Sequence, residues 1–228
     1  ADRWRRSGWS DMDINALIQN IAVAALPVIF AISLHEAAHG YAARHFGDPT
    51  AWQLGRISLN PLRHIDPVGT ILIPAAILLF SGGSFLFGYA KPVPVDFSRL
   101  RNPKRDMFWV AAAGPGANLF MACCWALMFK LSWLLPQFFS TPLARMAEVG
   151  IQINIVLMIL NLFPLPPLDG GRIAVSLLPH RLAWKFAQLE RWGFPILLLL
   201  LFTGILGTIM NPLVGLTKLA IISLFGLY

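Results

Sequence analysis

A long apolar segment that ends in ionisable residues constrains this chain more than any other feature. No charged residue occurs from Asn15 to Leu34, and this stretch is long enough for a helix that crosses a bilayer. Within it, residues 21–34 are almost wholly apolar. The pattern H-E-x-x-H follows at residues 35–39. A charged group within such a segment costs about 2.5 kcal/mol or more, and it usually marks a functional site. The segment therefore predicts a membrane helix with reactive side chains near one end.

The spacing within H-E-x-x-H is that of a metal site. His35 and His39 are four residues apart, so on a helix both imidazoles project from one face and can bind one metal ion. In zinc hydrolases with this pattern, the metal lowers the pKa of a bound water, and the glutamate, here Glu36, takes its proton. Two other interpretations use the same polar cluster: a metal-ion transporter and a non-catalytic membrane scaffold.

Composition indicates a polytopic membrane protein. Hydrophobic residues make up 57% of the 228 residues, charged residues 13%, and mean hydropathy is +0.64. The net charge of +7 is explained better by basic cytoplasmic loops than by nucleic-acid binding, so no nucleic-acid partner is expected. The adjacent cysteines Cys123 and Cys124 are expected to pack rather than to form disulfides. No cleavable signal peptide is expected.

The order of apolar segments predicts an all-α fold. We expect long helices over 14–46, 107–135 and 147–162, and a C-terminal transmembrane hairpin over 192–227 that is divided at Asn211-Pro212. A further apolar stretch begins at Val68. The prediction is a single membrane domain over 1–228 with about six hydrophobic segments, whose catalytic core spans 14–172.

Two motifs place unusual residues within these segments. The sequence G-P-G-A-N at 114–118 has small residues that let helices approach closely; packing alone could explain it, and substrate binding by Asn118 is the alternative. The stretch 161–172 has three prolines in four positions, which exclude a continuing helix. Non-helical backbone in a membrane is tolerated only against protein or water, so this stretch is expected beside the metal. The alternative is an interfacial turn in which Asp169 caps a new helix.

Together these motifs resemble the site-2 protease family, the intramembrane zinc metalloproteases. The matching pieces lie at 35–39, 114–118 and 161–171, and the match covers most of 14–172. Residues 60–67 and 88–95 resemble the short branch of the family, which lacks PDZ and nucleotide-binding appendages. The resemblance implies hydrolysis of peptide bonds within or near transmembrane segments of membrane-protein substrates, as in regulated intramembrane proteolysis.

The resemblance also implies a role for each matching residue. His35, His39 and Asp169 would bind one Zn²⁺ per chain. Glu36 would be the general base, and Asn161 would hold the substrate or stabilise the oxyanion. Two histidines, one carboxylate and an open fourth position form a catalytic type of zinc site.

Counting membrane crossings predicts a re-entrant or extended segment near 81–95. The helices that carry His39 and Asp169 must end on the same side, so the chain over 47–106 must leave that side and return. Prolines 92 and 94 exclude a helix interior on the return path. Its backbone could bind an unwound substrate by strand addition, at Gly88, Tyr89, Ala90, Lys91 and Pro92. A plain transmembrane helix over 68–90 is the alternative.

The distribution of basic residues predicts the orientation. Most lysines and arginines lie in loops on the side of the metal ligands, so the active site should face the cytoplasm and the N-terminus the outside. The basic N-terminus, with Arg3, Arg5 and Arg6, favours the opposite orientation.

Overall fold

The computed structural model describes residues 14–58, 60, 67–72 and 91–227. A π-helical turn covers Pro67–Leu72 and a 3₁₀ turn covers Phe97–Arg99. No β-strand occurs in the described ranges, so the predicted all-α class is confirmed. The α-helices are α1 (Ile14–His45), α2 (Thr50–Gln53), α3 (Pro103–Ser132), α4 (Gln137–Asn161), α5 (Asp169–Leu177), α6 (His180–Ala187), α7 (Glu190–Phe202) and α8 (Ile205–Phe225).

Four of these helices are long and apolar enough to cross a membrane. They are the Ala22–His45 part of α1 and the whole of α3, α4 and α8. The predicted count of about six hydrophobic segments is not confirmed in the part of the chain that the structure describes. Residues 73–90, which hold most of the predicted re-entrant segment, lie outside the described ranges.

Helix α3 lies at the centre of the helical bundle. It contacts α1, α4, α5 and α8. Buried apolar side chains of α3, α4 and α8, among them Ala122, Ile155 and Met210, form one core cluster. Large apolar side chains such as Phe120 and Leu216 stay exposed, as expected for surfaces that face lipid rather than water.

Contacts between helix ends show which ends lie together. His39 of α1 contacts Val110 near the start of α3, so the end of α1 lies beside the start of α3. Lys130 Nζ donates a hydrogen bond of 2.8 Å to the carbonyl oxygen of Phe225, so α3 and α8 end on the same side. We call the side where α1 ends and α3 begins the proximal end, and the opposite side the distal end. The segment between α1 and α3 therefore starts and finishes at the proximal end.

The last apolar region is divided at Gly204, and the predicted break at Asn211-Pro212 was wrong. Gly204 has a φ of +76°, in the left-handed region that favours glycine, and it separates α7 from α8. Pro212 lies inside α8. A proline removes one backbone hydrogen bond, which a long apolar helix in contact with its neighbours can tolerate. Of α7 and α8, only α8 is long enough to cross a membrane.

Candidate metal centre

The three predicted metal ligands meet at the proximal end. His35 and His39 project from α1, and Asp169 is the first residue of α5. The Nε2 atoms of His35 and His39 lie 3.1 Å apart, and each lies 3.3 Å from Oδ2 of Asp169. All three residues are buried, and together they could hold a metal ion.

These separations fit a small tetrahedral ion. Zn²⁺ binds histidine nitrogen and carboxylate oxygen at about 2.0–2.2 Å, which places the ligand atoms of a tetrahedron about 3.3–3.5 Å apart. The observed distances between the three ligand atoms are 3.1 to 3.3 Å. Two imidazoles and one carboxylate leave the fourth position free for a water or a substrate.

Hydrogen bonds determine which nitrogen of each imidazole is available to bind a metal ion. His39 Nδ1 lies 2.7 Å from the carbonyl oxygen of Val110, which can only accept, so this nitrogen carries the hydrogen. His35 Nδ1 lies 2.6 Å from Oδ1 of Asn118. In neutral histidines, both Nε2 atoms then bear lone pairs. Oδ2 of Asp169 is buried and receives no hydrogen bond from the part of the chain that the structure describes. Three acceptors therefore face one another, an arrangement that a bound cation stabilises.

Helix α3 approaches the two imidazoles at Gly114. A Cβ atom at this position would lie 2.4 Å from His39 Nε2 and 2.6 Å from His35 Cε1. A side chain of any size would therefore occupy the space of the two imidazoles. The small residue at the start of G-P-G-A-N is required by the site as well as by helix packing.

Glu36 is held by the backbone of a segment from another part of the chain. Its Oε2 accepts a hydrogen bond of 2.7 Å from the amide of Val93. We call residues 91–96 the strap; it is non-helical, as the prolines predicted. Arg56 Nη2 donates to the carbonyl oxygens of Lys91 and Pro92, at 3.3 and 3.4 Å. The strap is thus attached to the helix that carries Glu36.

Buried Asp48 anchors the other end of the strap. Its Oδ2 accepts a hydrogen bond of 2.7 Å from the amide of Asp96, and its Oδ1 accepts one of 2.9 Å from the amide of Thr50. Lys91 and Pro92 are exposed. The other three residues predicted to bind substrate, Gly88, Tyr89 and Ala90, lie outside the described ranges.

The two predicted asparagines have different surroundings. Asn118 is fully buried behind His35, and its side chain bonds to three other residues. Asn161 is the last residue of α4, and its Nδ2 donates to the carbonyl oxygen of Leu157 at 2.9 Å. The predicted roles of both residues in substrate binding or catalysis remain predictions. Sequence reasoning missed Asn154, although it and Gln152 are amide side chains within the otherwise apolar stretch 149–160 of α4, which was a usable signal.

Comparison with known proteins identifies the family. The sequence profile of peptidase family M50 matches residues 136–204. The chain is 38% identical over 204 residues to "Putative zinc metalloprotease YwhC" of Bacillus subtilis, a match that covers 88% of this chain and 89% of that protein. This chain belongs to peptidase family M50. The resemblance to the site-2 protease family that the motifs indicated is therefore confirmed, and the protein is a membrane metalloprotease.

A more distant relative supports the assignment. The chain is 29% identical over 176 residues to "Putative zinc metalloprotease Rip2" of Mycolicibacterium smegmatis. This match covers 77% of this chain and 64% of that protein. No solved structure matches the chain.

Proposed function

We propose that this M50 peptidase is an intramembrane zinc protease that hydrolyses peptide bonds within or near transmembrane segments of membrane-protein substrates, as in regulated intramembrane proteolysis. The observation that carries the proposal is the convergence of His35 Nε2, His39 Nε2 and Asp169 Oδ2 beside a helix that is long and apolar enough to cross a membrane. A protease site in this position acts on chain segments that reach it through the bilayer or from its edge.

Each site residue takes a defined part in this mechanism. His35, His39 and Asp169 would hold one zinc ion, which supplies a Lewis acid that makes a water molecule nucleophilic near neutral pH. Glu36 accepts the proton of the attacking water and returns it to the leaving amine. Because a carboxylate has two oxygens, the Val93 amide can fix one of them while the other exchanges the proton. Asn161 holds the substrate or stabilises the oxyanion.

The strap is the proposed place of substrate binding. It lies beside Glu36, and within the described residues 91–96 the backbone forms neither helix nor strand. An extended substrate segment can bind such backbone by strand addition, and this would bring its peptide bonds past the carboxylate. Gly88, Tyr89 and Ala90, together with Lys91 and Pro92, are the residues proposed to take part.

The proximal end is proposed to face the cytoplasm, and the N-terminus the outside. Among the described residues the distal end carries Lys130 and Arg145, and Lys218 lies nearer the distal end of α8 than its start. Basic residues near the membrane favour the cytoplasmic side. The proximal loops and helix ends carry many more of them: Arg44, Arg56, Lys91, Arg99, Arg101, Lys104, Arg105, Arg172, Arg181, Lys185 and Arg191.

The Glu36→Gln variant tests the proposed function. Purified protein in detergent should contain one zinc per chain and should cleave a model transmembrane peptide, and chelation should abolish cleavage. Glu36→Gln should keep its zinc but lose turnover by about 100-fold or more, since it removes the general base and none of the ligands. Cleavage at the wild-type rate by this variant would show that Glu36 is not the base. A metal-ion transporter would instead show zinc flux in proteoliposomes and no cleavage by the wild type.

A further inference from the structure

A chain of buried amide side chains lies behind His35. Asn118 lies in α3, and its Oδ1 is 2.6 Å from His35 Nδ1. Its Nδ2 donates two hydrogen bonds, one of 3.2 Å to the carbonyl oxygen of Ala31 and one of 3.0 Å to Oδ1 of Asn154. Asn154 in α4 donates in turn to the carbonyl oxygen of Gly150, at 2.8 Å. Both asparagines are 0% exposed. Polar contacts beside the imidazole of His35 thus join the three helices α1, α3 and α4.

The hydrogen bonds that link His35, Asn118 and Asn154 are consistent in only one direction. The carbonyl oxygens of Gly150 and Ala31 accept but cannot donate, so each asparagine must turn its NH₂ group toward them. The oxygen of Asn118 is then the atom that faces His35. Because an amide oxygen cannot donate either, His35 Nδ1 must carry a hydrogen, and the lone pair of the neutral ring lies on Nε2.

We propose that Asn118, held in place by Asn154, is a positioning residue that keeps His35 in the tautomer and orientation required for metal binding. The inference rests on the proposed function only in that His35 is a metal ligand. This role requires no contact with substrate, since both asparagines are fully enclosed and Asn118 lies on the Nδ1 side of the ring, away from the ligand atom. Partners of this kind typically change metal affinity by about 10–100-fold.

The second histidine provides an internal comparison. His39 Nδ1 is held by a backbone carbonyl, that of Val110, which a side-chain substitution leaves in place. Loss of Asn118 should therefore release His35 alone. In the metal-free protein, ¹⁵N spectra of labelled histidine should show that His35 gains the Nε2–H tautomer while His39 keeps Nδ1–H. A residue that only joined α3 to α4 would produce no such difference between the two rings.

Metal affinity of two variants at one position tests the proposal. Asn118→Leu has a similar size and no acceptor, and it should lower zinc affinity by about 10–100-fold in competition with a chromophoric chelator. Asn118→Asp keeps an acceptor oxygen for His35 Nδ1, but its second oxygen faces two acceptors, Ala31 O and Asn154 Oδ1. It should therefore lose some zinc affinity, but less than Asn118→Leu. The control is Asn211→Leu, the same change at an exposed position of α8, which should leave affinity unaltered. A purely structural role predicts similar losses for Leu and Asp at 118.

The outcomes separate this inference from the proposed function. If the wild type binds no zinc, the proposed function fails and the inference fails with it. If the wild type binds one zinc and Asn118→Leu binds it equally well, only the inference fails. Should Asn118→Leu not fold, Asn154→Leu replaces it, because it leaves Asn118 in place but removes its support. That variant should lose affinity toward the lower end, about 10-fold, and unchanged affinity would overturn the proposal.

Discussion

Replacement of Gly114 by alanine should abolish tight metal binding. The added methyl group would lie 2.4 Å from His39 Nε2 and 2.6 Å from His35 Cε1, whereas real Cβ atoms essentially never come closer than 3.0 Å. Either the rings or α3 must therefore move by at least about 0.6 Å. Ligand distances in a functional metal site hold to about 0.2 Å, so a displacement three times larger removes the ligand geometry. We expect zinc affinity to fall by about 100-fold or more.

Neither partner can move without losing a further contact. The two imidazoles are held by Val110 and Asn118, which lie on α3, the same helix as Gly114. If the rings turn away from the methyl group, they leave these hydrogen-bond acceptors. If α3 moves away from α1, it carries the acceptors with it. The clash therefore cannot be relieved as it would be by the free end of a flexible side chain.

Gly116→Ala is the matched control for this substitution. Gly116 lies two residues further along the same helix, and a Cβ atom there would meet no atom of the described residues within 4 Å. Alanine normally stabilises a helix interior relative to glycine, by about 0.5–1 kcal/mol, so this variant should fold at least as well as wild type. Zinc affinity by chelator competition and cleavage of a model transmembrane peptide are the measurements. Equal zinc affinity of Gly114→Ala and Gly116→Ala would refute the reasoning.

Two further predictions concern the strap and the segment before it. Val93→Pro removes the amide hydrogen that binds Glu36, and proline is compatible with the extended backbone of the strap. A hydrogen bond to a charged group is worth about 1.5–3 kcal/mol, so turnover should fall by about 10–100-fold while zinc is retained. Val93→Ala keeps the amide and is the control; equal turnover of the two would contradict this role. Single cysteines at Asp66 and Arg99, in a background without native cysteines, should both react from the cytoplasmic side. Labelling from opposite sides would exclude the re-entrant path, and labelling of both from outside would reverse the orientation.

Features that depend on one helix could be predicted from the sequence. The four-residue spacing of His35 and His39 is a local property of α1, and it places both imidazoles on one face whatever the rest of the chain does. The long apolar segments likewise predicted the all-α class. Asp169 was assigned through the resemblance to a family, because nothing in its local sequence distinguishes a metal ligand from a helix cap.

Features that depend on the approach of distant segments could not be predicted. The contact of Glu36 with Val93 joins positions 57 residues apart, and that of His35 with Asn118 joins positions 83 apart. The tight fit at Gly114 depends on the distance between two helix axes, which apolar periodicity does not encode. The predicted break at Asn211-Pro212 was wrong because proline is the stronger helix-breaking signal in a sequence, whereas the turn at Gly204 requires a positive φ.

The contacts of α1 divide the work of the site between two parts of the protein. Both histidines are held by α3, and the glutamate between them is held by the strap. Metal binding should therefore depend on α3 and be insensitive to the strap, while proton transfer should depend on the strap at full metal occupancy. A substrate that binds along the strap would act directly on the segment that orients Glu36, so binding and base positioning are coupled through the Val93 amide. If Val93→Pro lost zinc as readily as Gly114→Ala, this division would be wrong, and the strap would have to be counted among the supports of the metal ligands.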